Sequence, residues 1–94
     1  MHYYVRVSFS DYRDLKIKLD TKGDWKGVAT MCNNLGLLYA QSGCYDLSLK
    51  EHKEELKLSK QHGDRIGVAT SHRRIGEVLS EMGDHEESLH HLQL

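Results

Sequence analysis

One stretch of this chain, Gly23-Asp24-Trp25-Lys26-Gly27-Val28-Ala29-Thr30, returns forty residues later as Gly63-Asp64-Arg65-Ile66-Gly67-Val68-Ala69-Thr70. The same offset pairs Leu35-Gly36 with Ile75-Gly76. A period of this length predicts a solenoid, in which each unit buries its apolar face against its neighbours. Solenoids present an extended surface to other molecules, so the repeat favours a binding function over a catalytic one.

The composition is that of one small domain. The chain has 94 residues, a net charge of -1 and 29% charged residues, which does not point to a direct nucleic-acid partner. The signs of charge alternate from Lys50 to Lys60, which is typical of a solvated helix face. Two cysteines without a signal peptide favour a reducing compartment, and no apolar run has membrane-spanning length. We expect a nuclear or cytoplasmic protein that does not bind membranes.

The spacing of apolar residues indicates helices. Val28, Cys32, Leu35 and Tyr39 recur every three or four positions, as on one face of an amphipathic helix. Asp24 lies where an N-cap is expected, because its carboxylate can accept hydrogen bonds from the first free amides. The repeat therefore predicts an all-α chain, with helices over 24–41, 45–61 and 64–81 and another beginning near residue 86.

A glycine lies in the middle of the first helix of each unit. Gly36 and Gly76 lie mid-helix, where glycine costs about 1 kcal/mol relative to alanine. A helix keeps such a residue when a neighbouring backbone must come close. We predict that Gly36 packs against Ser48 and that Gly76 packs against Ser88.

The same register divides the chain into three parts. Residues 1–22 are expected to hold the second helix of a preceding repeat after an irregular N-terminus, with 23–62 as one repeat and 63–94 as a truncated one. The pattern predicts an excerpt of a longer array. Its exposed terminal helices make self-association of a structural fragment an alternative function.

The residues at fixed phases resemble a known repeat. Leu35-Gly36, Tyr39, the small Ser48 and the ring of His52 resemble the tetratricopeptide signature. The forty-residue form is similar to the arrays of tonsoku-like proteins and of the polarity adaptor Pins. Residues 51–58, 70–77 and 79–84 are most similar to an amino-terminal segment of tonsoku-like proteins.

The resemblance implies an antiparallel helix-pair solenoid that serves as a protein-interaction scaffold. A tonsoku-like parent would be a nuclear scaffold of replication-fork repair, and a Pins-like parent would be a cell-polarity adaptor. In tetratricopeptide arrays the first helix of each pair lines a concave groove that holds a peptide or a partner protein. By phase, the candidate partner-binding residues are Asn33, Asn34, Leu37, Gln41, Arg73, Arg74, Glu77 and Glu81.

The chemistry of this set suggests a partner that is acidic. Amide side chains can pair with a peptide backbone, and guanidinium groups can grip a carboxylate with two hydrogen bonds. The alternative is that Arg73 and Arg74 only pair with Glu77 and Glu81 along their own helix.

The remaining candidates favour packing over chemistry. The seven histidines lack the His-x-x-x-His spacing of a helical metal site, and His52 and His72 fall at core-facing phases. Cys32 is expected in the core and Cys44 in a turn, with no local signature of cysteine catalysis. Trp25 could hold the entry loop or anchor a partner. We expect no enzyme, no cofactor and no metal.

Overall fold

The computed structural model describes residues 8–83, which form four helices and no strand. The helices are α1 (Phe9–Thr21), α2 (Trp25–Gln41), α3 (Tyr45–Gln61) and α4 (Arg65–Glu81). The predicted all-α class is confirmed, and the predicted helix bounds agree within one residue. The helix expected from residue 86 and the contact of Gly76 with Ser88 lie outside the described residues.

Local chemistry sets where α2 and α4 begin. The carboxylates of Asp24 and Asp64 accept hydrogen bonds from the backbone amides of Gly27 and Gly67, at 2.9 and 3.0 Å. Each therefore satisfies one of the amides that a helix start leaves free. Every turn holds a glycine with φ between 67° and 83°, namely Gly23, Gly43, Gly63 and Gly83. That left-handed backbone stops one helix and lets the chain reverse.

Two ring stacks show that consecutive helices run antiparallel. Phe9 at the start of α1 stacks on Tyr39 near the end of α2, with ring centroids 4.8 Å apart. Trp25 at the start of α2 stacks on His62 just after α3, with centroids 4.1 Å apart and planes 7° apart. Trp25 thus packs on the residue that follows α3.

The core lies along α2 and α4, with small polar groups of α3 between them. Buried apolar residues are Val28, Ala29, Met31, Cys32, Leu35, Ile75, Val78 and Leu79. From α3, Ser48 and His52 are fully buried. The Ser48 hydroxyl donates to the Gly36 carbonyl oxygen at 2.6 Å, which confirms the predicted contact.

Because consecutive helices are antiparallel, α2 and α4 run in the same direction, and so do α1 and α3. One cavity is lined by α2, α4 and a side chain of α3, and a second cavity is lined by α1, α3 and a side chain of α2. The two cavities are candidate sites.

Candidate functional site

The first cavity lies between α2 and α4 and has a volume of about 160 Å³. We call it the α2–α4 groove. Its walls come from the two parallel helices and its floor from the His52 ring of α3. The lining residues are Leu37, Ala40, Gln41, His52, Arg74, Glu77, Val78 and Glu81.

Most of the candidate partner-binding residues lie in this groove. Among the eight candidates, the five that line it are Leu37, Gln41, Arg74, Glu77 and Glu81. Asn33 and Asn34 are half-buried and do not line the cavity. The Arg73 side chain is 58% exposed and lies next to the lining residues in sequence.

Both arginines pair with one glutamate of their own helix. Arg73 Nε lies 3.8 Å from Glu77 Oε1, and Arg74 Nη1 lies 3.4 Å from Glu77 Oε2. Such exposed pairs stabilise a helix by only about 0.2–1 kcal/mol, so a ligand carboxylate can compete with Glu77. Arg74 Nε is buried and has no hydrogen-bond partner among residues 8–83.

Three further residues, Ala40, His52 and Val78, line the groove but were not among the eight candidates. The His52 side chain is only 1% exposed, and its Nδ1 lies 3.4 Å from Glu55 Oε1. Its Nε2 is buried and has no hydrogen-bond partner within the described part of the chain. The register had placed His52 in the core, and the available signal was its position one turn after Ser48, opposite Gly36.

The second cavity, of about 280 Å³, lies between α1 and α3, and we call it the α1–α3 cleft. Its lining residues are Arg13, Lys16, Ile17, Asp20, Val28, Glu51 and Glu54. The Lys16 ammonium bridges the cleft, with Nζ 3.0 Å from Glu51 Oε1 and 2.5 Å from Glu54 Oε2. This ionic link, defined by Lys16, Glu51 and Glu54, ties α1 to α3.

The ionic link shifts the pKa values of Lys16 and Glu54. Burial by itself lowers the pKa of Lys16, but hydrogen bonds to Glu54 and Glu51 outweigh it, so the pKa lies above the usual value. Burial by itself raises the pKa of Glu54, and hydrogen bonds from Lys16 and Cys32 more than reverse this. Both groups are therefore charged near neutral pH.

The structure corrects the interpretation of the charged run from residue 50 to 60. Lys50 and Lys53 are exposed, as a solvated face requires. Glu55, however, is only 6% exposed, and the Glu51 side chain is 12% exposed. Sign alternation alone could not reveal this, because the cation that holds Glu51 lies on α1.

Among the described residues, one group of side chains has the geometry to hold a metal ion. Cys32 Sγ and carboxylate oxygens of Glu51 and Glu54 lie within 4.8 Å of one another. Lys16 already supplies a cation there, and Cys32 Sγ donates to Glu54 Oε2 at 3.2 Å. Burial, followed by that hydrogen bond, raises the pKa of Cys32, so the thiol keeps its proton. The histidines at 85, 90 and 91 lie outside the described residues.

The sequence profile described as Tetratricopeptide repeat matches residues 27–94, which is more than half of the chain. The chain belongs to the tetratricopeptide-repeat family. Gly36, Tyr39 and Ser48 therefore occupy positions of the repeat at which neighbouring helices pack together.

The chain is also similar to proteins described as Tonsoku-like. The chain is 42% identical over 76 residues to a Tonsoku-like protein of Bos taurus, which covers 81% of this chain. It is 37% identical over 79 residues to the Tonsoku-like protein of Mus musculus, covering 84% of this chain. The chain spans only 6% of the length of either relative. No solved structure matches.

Family and relatives together support a protein-interaction scaffold built from tetratricopeptide repeats. Among residues 8–83, no helix is both long enough and apolar enough to cross a membrane.

Proposed function

We propose that this tetratricopeptide-repeat chain binds a partner segment in the α2–α4 groove. The observation that carries the proposal is the convergence of Leu37, Gln41, Arg74, Glu77 and Glu81 from two helices on one cavity. The cavity combines apolar side chains with convergent polar and charged groups, which can fix the orientation of a bound side chain. We also propose that the chain is divided into a partial repeat at 1–22, a repeat at 23–62 and a truncated repeat at 63–94.

The partner presents an acidic group to Arg73 and Arg74. The side chains of Arg73 and Arg74 are 58% and 25% exposed, and both contact Glu77 at the surface of α4. A carboxylate can therefore bind to these guanidinium groups and share or replace their contact with Glu77. Asn33 and Asn34, one turn before Leu37 on α2, extend the polar surface available to a peptide backbone.

The cellular role proposed for the chain is that of a nuclear scaffold in replication-fork repair. The similarity to Tonsoku-like proteins supports this role and favours it over that of a Pins-like polarity adaptor. A tagged full chain should collect at stalled forks in nuclei. Enrichment at the cell cortex instead would contradict this role.

Self-association is a second candidate, favoured by apolar residues on α1. The exposed fractions of Leu15 and Ile17 are 42% and 64%. Sedimentation velocity of the full chain over a hundredfold range of concentration tests it. A constant monomer mass would exclude assembly, whereas a dimer that Ile17→Glu dissociates would support it.

A charge-reversal experiment tests the groove. Peptides that bind the full chain are first selected from a random dodecapeptide display library and synthesised with a fluorophore. Fluorescence polarisation then measures their binding to Arg73→Glu/Arg74→Glu and to the matched control Lys50→Glu/Lys53→Glu, which changes the same charge on exposed positions of α3.

The two variants separate a specific groove from general electrostatic attraction. We expect the arginine variant to weaken binding by at least about tenfold and the lysine variant to leave it unchanged, with equal helical circular dichroism. Equal loss from both variants, or no loss from either, would contradict the proposed site.

A further inference from the structure

The α2–α4 groove has unlike charges at its two ends. Arg73 and Arg74 lie on one side of Glu77, and Glu81 lies on the other, at the end of α4. Glu77 is paired with both arginines, whereas Glu81 makes no ion pair with any described residue. The groove is therefore positive at its arginine end and negative at its Glu81 end.

The helix ends add to the negative side. Gln41 and Glu81 are the last residues of α2 and α4, and both line the cavity, so two helix C-termini meet there. A helix C-terminus carries a partial negative charge on its free carbonyl groups. Neither helix has a basic residue in its last turn to offset it.

The walls of the groove suit a long side chain. Its floor is the His52 ring, whose Nε2 is buried against Gly36 and is closed to a ligand. Leu37, Ala40 and Val78 form apolar walls beside it, and such walls suit the methylene stem of a long basic side chain.

We propose that the groove orients its ligand, which carries a lysine or arginine side chain at the Glu81 end and an acidic group at the arginine end. This inference rests on the proposed function and specifies the partner for it. Arg74 and Glu81 lie two turns apart on α4, or about 10 Å. An extended ligand spans that distance in about three residues, which sets the spacing of its two charges.

The test uses the same selected peptides on the full chain. We expect them to hold a basic residue about three positions from an acidic one. Replacing that basic residue by glutamine should weaken binding to the wild type by about tenfold. In Glu81→Lys the selected peptides should bind weakly, and a glutamate in place of their basic residue should restore binding. Asp14→Lys on exposed α1 is the matched charge control and should change nothing.

The outcomes distinguish the two proposals. Peptides that need Arg73 and Arg74 but lack the basic residue, or ignore Glu81→Lys, would overturn the oriented ligand and leave the groove intact. Peptides that ignore the arginines, or the failure to select any peptide, would overturn both. Restored binding between Glu81→Lys and the peptide that carries glutamate supports both proposals, because two such changes compensate each other only when the two side chains are in contact.

Discussion

Ser48 Oγ donates a hydrogen bond to the carbonyl oxygen of Gly36, at 2.6 Å across the α2–α3 interface. The ring of His52, one turn further along α3, lies over the same glycine. A Cβ at position 36 would fall 2.5 Å from His52 Cε1 and 2.8 Å from Cδ2. The mid-helix glycine is therefore required by the close approach of α3, and its cost in helix propensity is offset by this packing.

Gly36→Leu should destabilise the chain by overpacking. The added side chain meets a buried ring that cannot move to solvent, so we expect a loss of about 1–3 kcal/mol in the free energy of unfolding. Urea denaturation measures it. His52→Ala in the same chain should recover part of the loss by making room, and purely additive losses would contradict the proposed clash.

Lys16→Met should loosen α1. It leaves Glu51 and Glu54 without their shared cation, so we expect a cost of about 1–3 kcal/mol in the free energy of unfolding. Differential scanning calorimetry can follow the loss, with Lys18→Met on exposed α1 as control. If both variants have the same melting temperature as the wild type, the ionic link contributes nothing to stability.

The ionic link also predicts a fall in stability in acid. Hydrogen bonds hold the pKa of folded Glu54 below its ordinary value of 4.5, so its contribution is present above pH 4.5 and is lost as the pH falls through the folded pKa. The raised pKa of Lys16 contributes stability that is fully present below its ordinary value of 10.5 and is lost only in alkaline solution, as the pH rises through the folded pKa. Urea midpoints between pH 7 and 3 should fall less steeply for Lys16→Met, and identical slopes would argue against the link.

The stack of Trp25 on His62 should report on the α2–α3 contact. His62→Ala removes the ring partner, and we expect a loss of about 0.5–1.5 kcal/mol together with a red shift in the fluorescence of the single tryptophan. Lys60→Ala, on an exposed position of the same turn, is the control. An unchanged spectrum in His62→Ala would show that the stack does not persist in solution.

The two cysteines should differ in reactivity. Cys44 is exposed, whereas Cys32 is fully buried with a raised pKa. Since the thiolate is the reactive form, iodoacetamide should modify only Cys44 in the folded chain, as mass spectrometry can show. Cys44→Ser should resist the reagent until urea is added. Rapid labelling of Cys32 without urea would show that the core opens readily.

The turns and helix starts were predictable because their causes are local. Gly43 adopts its left-handed backbone within its own turn, and Asp24 accepts from an amide only three residues away. The groove was partly predictable, because Leu37 and Arg74 follow from helix phase and repeat register. His52 was not predicted as a groove residue. Helix phase indicates that its ring is buried between helices, but it does not indicate which cavity the ring lines.

Helix order, helix limits and the contact of Gly36 with Ser48 were thus determined by the sequence itself, through a repeat whose signals act over a few residues. Only the tertiary structure decided that Glu51 turns inward to Lys16, thirty-five residues away. A charged side chain can face solvent or a buried partner with the same helical phase. A buried charge is tolerated only when it is paired with an opposite charge. Whether a charged side chain turns inward therefore depends on whether another helix packs with an opposite charge close to it.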